Sequence, residues 1–318
     1  MNSFLDFEKP LADIEGKLKE LRHLADGGGV DVAGEIAKLE SRAEQVLRET
    51  YEGLNAWQTT QVARHAERPH FLDYVDYLID DFMALAGDRQ FGDDQAILGG
   101  LGRFRGRSVM VIGHEKGAST AARIKHNFGM AQPEGYRKAV RLMKLAESNN
   151  IPVITLVDTS GAHPGIEAEE RGQAEAIARS IDVGLNLKVP FVSVIIGEGG
   201  SGGAIALATG NAVLMMQHAI YSVISPEGCA AILWHSSERA REAAEALKVT
   251  AQDLLRLDVI DEIIDEPLGG AQRDPEGAMD AAGDAIEAAL KRLETMDAQQ
   301  LRLQRRQKFL NMGRIAGL

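Results

Sequence analysis

Cysteine is almost absent from this chain of 318 residues: Cys229 is the only one. An internal disulfide and a multi-cysteine zinc site within the chain are thereby excluded. Long apolar runs are missing too. The longest largely apolar stretch, Val189 to Ile196, falls far short of the roughly 20 residues that span a bilayer. Residues 1–10 carry neither the basic start nor the apolar run of a signal peptide, so a soluble, cytoplasmic chain with no membrane attachment is expected. Basic charge is in deficit, 35 Lys and Arg against 47 Asp and Glu, for a net charge of −12. Nonspecific nucleic-acid binding rests on cationic surface and is not expected here. Gly-Lys-Ser and Gly-Lys-Thr occur nowhere, which removes the Walker phosphate loop.

What is present is organised in three parts. Residues 10–67 read as polar helices, with Leu11, Ile14, Leu18 and Leu21, then Ile36, Leu39, Ala43, Val46 and Leu47, at helical spacing. The Gly27-Gly28-Gly29 run separates these two helices. The spacing of Leu72, Val75, Leu78 and Phe82 predicts a further helix over 71–86. From residue 87 the character changes. Short strands are expected at 96–101 and 108–113, around a turn at Arg105-Gly106-Arg107. Helix 133–149, strand 151–157, helix 167–187, strand 189–196 and helix 202–208 follow, then strands near 212–216 and 219–223 and helix 226–234. This alternation predicts a right-handed α/β arrangement. One late strand at 259–264 and helices over 274–296 and 298–311 finish the chain.

The strand Val189–Ile196 runs into Gly197-Glu198-Gly199-Gly200-Ser201-Gly202-Gly203, five glycines among seven residues. Glycines at a strand-to-helix turn let main-chain N–H groups approach a ligand. The helix start adds unpaired N–H groups and a positive dipole end. Such a place can hold developing negative charge, as an oxyanion hole does. A dinucleotide loop would be followed about twenty positions on by an acidic residue, where Gln217 and His218 stand. Close helix–strand packing explains the glycines without any ligand. The same letters fit the Gly-x-Ser-x-Gly elbow of α/β-hydrolases, with Ser201 as nucleophile. Its acid and base would be Glu227 and His235, or His218 or His235 with a later aspartate such as Asp258.

Asp158-Thr159-Ser160-Gly161-Ala162-His163-Pro164-Gly165 forms a second tight loop after a buried strand, at the carboxyl end where α/β sites lie. The two glycine loops are expected side by side. Asp158 also suits a plain turn or N-cap. A third stretch, from Lys116 through Arg123 and Lys125 to Met130, is a local basic cluster that suits a solvated loop or, failing that, an anion. In helix 133–149, Tyr136, Val140, Met143 and Ala146 mark the buried stripe, whereas Arg137, Arg141 and Lys144 read as a solvated face.

Taken together these stretches resemble the carboxyltransferase alpha subunit of bacterial acetyl-CoA carboxylase. The matching segments are Leu85–Arg89, Ile112–Gly117, Asn127–Met130, Pro133–Ala139, Ala168–Gln173, Gly197–Ala204 and Tyr221–Cys229, with similar flanks at Ala56-Trp57-Gln58 and Glu266–Ala271. The resemblance implies an α/β fold with a crotonase-like (ClpP/crotonase) core of repeated ββα units and helical N- and C-terminal extensions. It divides the chain into extensions at 1–86 and 271–318 around a carboxyltransferase domain at 87–270. It implies transfer of a carboxyl group from carboxybiotin, carried by a biotin carboxyl carrier protein, to acetyl-CoA, giving malonyl-CoA for fatty-acid synthesis. It implies further partners: a zinc-ribbon-bearing beta subunit, in a heterotetramer of two alpha and two beta chains, and a biotin carboxylase. No metal is implied on this chain. By the resemblance, Gly202 and Gly203 supply the amides that meet charge on the biotin ring. Gly161, Ala162, Gly199, Gly200, Ser201, Lys116 and Arg123 fall at the carboxybiotin and CoA positions. The chain departs from the family pattern at Ala118, Ser160 and His163, where the family usually has arginine, proline and an aromatic residue.

Overall fold

The computed structural model describes residues 4–26 and 32–313; the Gly27-Gly28-Gly29 separator lies outside them. Among the described residues eight strands form one sheet: β1 (Ile79–Ala84), β2 (Ile97–Phe104), β3 (Arg107–His114), β4 (Val153–Thr159), β5 (Phe191–Gly200), β6 (Ala212–Met216), β7 (Ile220–Ser222) and β8 (Glu262–Ile264). β1, β2 and β3 are antiparallel neighbours; β3, β4, β5, β6 and β8 then run parallel, and β7 lies along the end of β5. The hairpin turn is Arg105-Gly106, with φ of 48° and 80°, the left-handed pair that two-residue hairpins favour. Parallel neighbours need a crossover, and helices Pro133–Ser148 and Gln173–Asn186 supply it on either side of β4.

β4 is buried at all seven positions and β5 at all ten, so both strands form the centre of the core. Each fully buried Val, Leu, Ile or Phe there contributes about 1.5–3 kcal/mol. Helix Pro133–Ser148 packs on β2 and β3 and against helix Gln173–Asn186, while helix Pro275–Leu293 packs on β5, β6 and β8. No described helix is long and apolar enough to cross a membrane.

Three expectations change. The helix expected over 71–86 ends at Leu78, and Ile79–Ala84 is β1. Its partner β2 is built to let it in: a Cβ on Gly100 would stand 2.0 Å from the Met83 carbonyl oxygen, and one on Gly102 2.3 Å from Ile79 Cγ2. Pairing with a distant strand overrides the local period. The helix expected over 167–187 is two, Ile166–Glu170 and Gln173–Asn186, parted at Gly172 in the left-handed region (φ 82°). Finally, β5 does not stop at Ile196. Val192–Ile195 pair with β6, and Glu198, Gly199 and Gly200 pair with Ile220, Tyr221 and Ser222 of β7. Gly197, Gly199 and Gly200 are therefore strand residues, and the short helix Ser201–Ile205 starts at once behind them.

Candidate functional site

The glycine turn and the loop after β4 meet backbone to backbone. A Cβ on Gly200 would lie 2.2 Å from the Ser160 carbonyl oxygen. One on Gly203 would lie 2.8 Å from the Gly161 carbonyl carbon, 2.9 Å from the Ala162 nitrogen and 3.1 Å from Tyr136 Oη. The two loops thus sit side by side, as expected, because glycine lets main chains touch there. Gly202 is different: a Cβ would meet only Ile177, at 3.6 Å. Thr159 Oγ1 accepts the Gly161 N–H (3.1 Å) and donates to the Gly161 carbonyl (2.8 Å), so that amide is already engaged.

Ser201 enters the helix with φ of 52°, and Gly200 offers no side-chain cap. The N–H groups of Gly202 and Gly203 fall in the first turn, where a helix provides no acceptor of its own. The far end is anchored. Ser180 Oγ donates to the Ala206 carbonyl (2.6 Å), and Thr155 Oγ1 and Ser193 Oγ both donate to that of Leu207 (2.7 and 3.0 Å). Three hydroxyls from the core thereby fix the short helix, at about 1 kcal/mol each.

Beside this seat lies a cavity of about 200 Å³ lined by Arg64, His70, Lys116, Arg123, Asp158 and Ser160, among others. Lys116 Nζ bridges Asp158 (2.8 Å) and Glu198 (3.2 Å). Arg64 binds Glu198 (2.6 Å) and Glu227 (2.7 Å). Asp158 also accepts the Glu198 N–H (2.9 Å) and lies 3.2 Å from His70 Nδ1. Gly197 makes room for it, since a Cβ there would stand 2.6 Å from Asp158 Oδ1. Burial alone would raise Asp158 and Glu198. The Lys116 ammonium, aided by His70 at Asp158 and by Arg64 at Glu198, outweighs it and holds both carboxyls below their usual range. Burial would likewise lower Lys116, but Asp158 and Glu198 raise it, so it stays charged.

The structure therefore brings Gly161, Ala162, Gly199, Gly200, Ser201, Gly202 and Gly203 together and sets Lys116 and Arg123 on the neighbouring cavity. Lys116 carries internal ion pairs; Arg123 donates through Nε to the Gly117 carbonyl (3.2 Å). Asp158, which equally suited a plain turn, is the centre of the charge cluster. The arginines of helix Pro133–Ser148 are not a solvated face either: Arg137 binds Asp88 (2.7 Å) and Arg141 the Gly87 carbonyl (3.0 Å). Arg64, His70 and Glu198 were not singled out from the sequence. Glu198 did carry a signal, because a carboxylate inside an apolar strand needs a buried partner. Arg64 and His70 carried none; they lie 134 and 88 positions from the groups they bind. Ser201 has an elbow-like φ, yet Glu227 is held by Arg64 and the His218 ring packs edge-on against Tyr51 at 5.5 Å.

The mixed sheet with its flanking helices is a crotonase-like fold. Transcarboxylase 12S aligns with a TM-score of 0.59 and 19% identity over 76% of this chain and 45% of that one. The beta subunit of P. aeruginosa geranyl-CoA carboxylase aligns with a TM-score of 0.55 and 17% identity over 78% of this chain and 46% of that one. At such identities the likeness concerns the fold alone. Sequence carries the assignment further. The family described as "Acetyl co-enzyme A carboxylase carboxyltransferase-like" matches residues 4–313. The acetyl-coenzyme A carboxylase carboxyl transferase subunits alpha of Paramagnetospirillum magneticum and Methylobacterium nodulans are each 64% identical, over 314 and 315 residues, covering 99% of both chains in each case. The chain belongs to the family of acetyl-CoA carboxylase carboxyltransferase alpha subunits.

Proposed function

We propose that this chain, joined to a beta subunit, moves a carboxyl group from carboxybiotin to acetyl-CoA to form malonyl-CoA, and that its own share is the carboxybiotin side. In this reading the work falls within 87–270, and Gly202 and Gly203 are the catalytic positions. The observation that carries it is the contact of Ser160–Ala162 with Gly200–Gly203, which fixes first-turn amides where a side chain at Gly203 would not fit. Fixed N–H donors suit an oxygen that gains charge as a bond breaks; loss of one such donor costs roughly 10²–10³ in rate. Carboxybiotin, when bound, would supply both the carboxyl group, which ends on the methyl carbon of acetyl-CoA, and the ureido nitrogen that accepts the proton this carbon gives up. No side-chain base is therefore required of this chain. Gly161, Ala162, Gly199, Gly200 and Ser201 shape the seat, and Lys116 and Arg123 line its charged flank. Holding both reactants in register supplies much of the remaining acceleration.

The partners in this reading are a zinc-ribbon-bearing beta subunit, two of each chain per complex, the biotin carboxyl carrier protein and a biotin carboxylase, all in the cytoplasm. Co-purification with a candidate beta subunit, followed by a carboxybiotin-dependent malonyl-CoA assay, tests it. The complex is expected to be active and the isolated chain inactive. Malonyl-CoA formed by the isolated chain would contradict the division of labour. A serine hydrolase would instead lose activity in Ser201→Ala and take a fluorophosphonate label there.

A further inference from the structure

The turn beside the charged cavity is strained, and the strain presents an aromatic ring. Asn127, Phe128 and Gly129 are three successive residues in the left-handed region, with φ of 46°, 55° and 75°. Glycine takes that region freely and asparagine tolerates it, but a bulky side chain there is an outlier. Among the described residues Phe128 is the only apolar side chain with positive φ. Burial does not offset the cost, since Phe128 is 49% exposed.

The surroundings hold the turn in place. The Gly129 N–H donates to the His126 carbonyl and the Met130 N–H to that of Asn127, both at 2.9 Å. Asn127 Nδ2 donates to the Met130 carbonyl (2.7 Å), and His126 Nδ1 to that of Gln95 (2.6 Å). Gly129 is pressed onto the end of β4: a Cβ there would stand 2.9 Å from the Asp158 carbonyl oxygen and 2.9 Å from Lys116 Cγ. Strain that the neighbours over-determine in this way clusters at ligand sites, where it pre-organises a group.

The place of the ring says what it meets. Phe128 lines the same cavity as Ser160, whose carbonyl oxygen abuts Gly200 in the glycine seat. Lys116 and Arg64 in that cavity are tied to carboxylates. Arg123 is not: its Nε donates to the Gly117 carbonyl, and no carboxylate pairs with it among the described residues. An aromatic face and such a cation on one cavity suit a flat ring that carries an anionic group. Carboxybiotin has this chemistry, a planar cyclic urea with a carboxylate on its nitrogen. The adenine end of CoA is also flat and anionic, but it lies a whole pantetheine arm from the reacting carbon, whereas this cavity adjoins the seat.

We propose that Phe128 is a substrate-binding residue: its ring packs against the cyclic urea of carboxybiotin, with the Arg123 guanidinium toward the carboxylate. This rests on the reading that the glycine seat takes carboxybiotin.

The test uses the complex with the beta subunit, run in reverse with malonyl-CoA as carboxyl donor and free biotin as acceptor. Phe128→Ala is expected to raise the KM for biotin about 10-fold, the worth of one aromatic contact, and to leave the KM for malonyl-CoA within about 2-fold. Phe128→Tyr keeps the ring and should stay within about 2-fold of wild type on both. Phe128→Gly removes the ring and accepts the left-handed backbone, so its KM for biotin should rise as in Phe128→Ala while its melting temperature does not fall. A wild-type KM for biotin in Phe128→Ala and Phe128→Gly overturns the inference. So does a rise confined to the KM for malonyl-CoA, which would put the ring at CoA. Weaker assembly with the beta subunit at an unchanged KM for biotin overturns it too, and makes the ring a subunit contact. A wild-type complex that carboxylates neither free biotin nor the biotinylated carrier protein overturns the reading of the seat itself, so the two failures differ.

Discussion

The two ends of the central strands both bury cations, and they satisfy them by opposite means. At the amino end of β5, Arg305 is wholly buried and binds the carbonyls of Gly184 (3.0 Å), Leu187 (2.7 Å) and Val189 (3.1 Å), with Asn211 Oδ1 as a further acceptor. No carboxylate bonds it among the described residues. Burial drives its pKa down to about 9, only partly opposed by Glu147. It meets the carboxyl end of helix Gln173–Asn186 at the Gly184 carbonyl, which also accepts the Leu187 N–H. At the carboxyl end, Lys116 and Arg64 are met by Asp158, Glu198 and Glu227. The first arrangement is a clamp of neutral acceptors. The second sets two cations against three carboxylates and ties its ammonium between two of them, so that an incoming anion meets fixed main-chain dipoles in preference to a mobile ammonium. A site poised this way binds by geometry more than by net charge.

The sharpest break of this contrast is Lys116→Met. It leaves Asp158 and Glu198 buried without their cation, at a cost of about 3–5 kcal/mol in urea unfolding at pH 7. The pH dependence should invert as well. In the wild type Asp158 sits below its unfolded value, so its contribution is complete above about pH 4 and fades as pH falls. In Lys116→Met the stranded carboxyls should rise above their unfolded values, so acidification from pH 7 to 5 should recover stability. Unchanged stability at pH 7 would show that Arg64 and His70 suffice. Arg305→Ala, at the other end, orphans several acceptors and should cost about 3 kcal/mol. Its kcat, measured on folded complex, should match wild type; a large kcat loss would mean the two ends are coupled. Gly203→Ala should lower kcat by about 10², roughly 2.7 kcal/mol, whereas Gly202→Ala keeps its amide and has room for a methyl, so most activity should remain. Equal losses would show that the tight contact of Gly203 with the Gly161–Ala162 main chain is not what sets the rate. The smallest effect concerns acid. Burial holds His114 at about 3, against about 6.5 unfolded, so the unfolded chain takes its proton first as pH falls. Between pH 8 and 5 the wild type should lose about 2 kcal/mol more than His114→Gln.

Local chemistry was legible along the chain, and long-range chemistry much less so. The Arg105-Gly106 turn, the helix at Pro226–Trp234 and the helix at Ala298–Asn311 all stand where their residues put them. The paired glycine loops follow from two strands ending in glycine one βα unit apart. The continuation of β5 to Gly200 was hidden because Gly197, Gly199 and Gly200 look like a loop until β7 arrives to pair with them. β1 was hidden in the same way, since Leu78 and Phe82 fit a helix until β2 supplies a glycine-lined edge. The charge cluster needed Arg64 and His70 to be carried from a helical segment to a sheet they do not adjoin in sequence, and periodicity holds no record of that.

A crystal structure of the assembled enzyme with biotin bound tests the central claim most directly. The ureido oxygen should lie within about 2.7–3.1 Å of the main-chain nitrogens of Gly202 or Gly203, beside the Ser160–Ala162 loop. A ring oxygen held elsewhere, with those nitrogens bonded to the protein's own carbonyls, would contradict it.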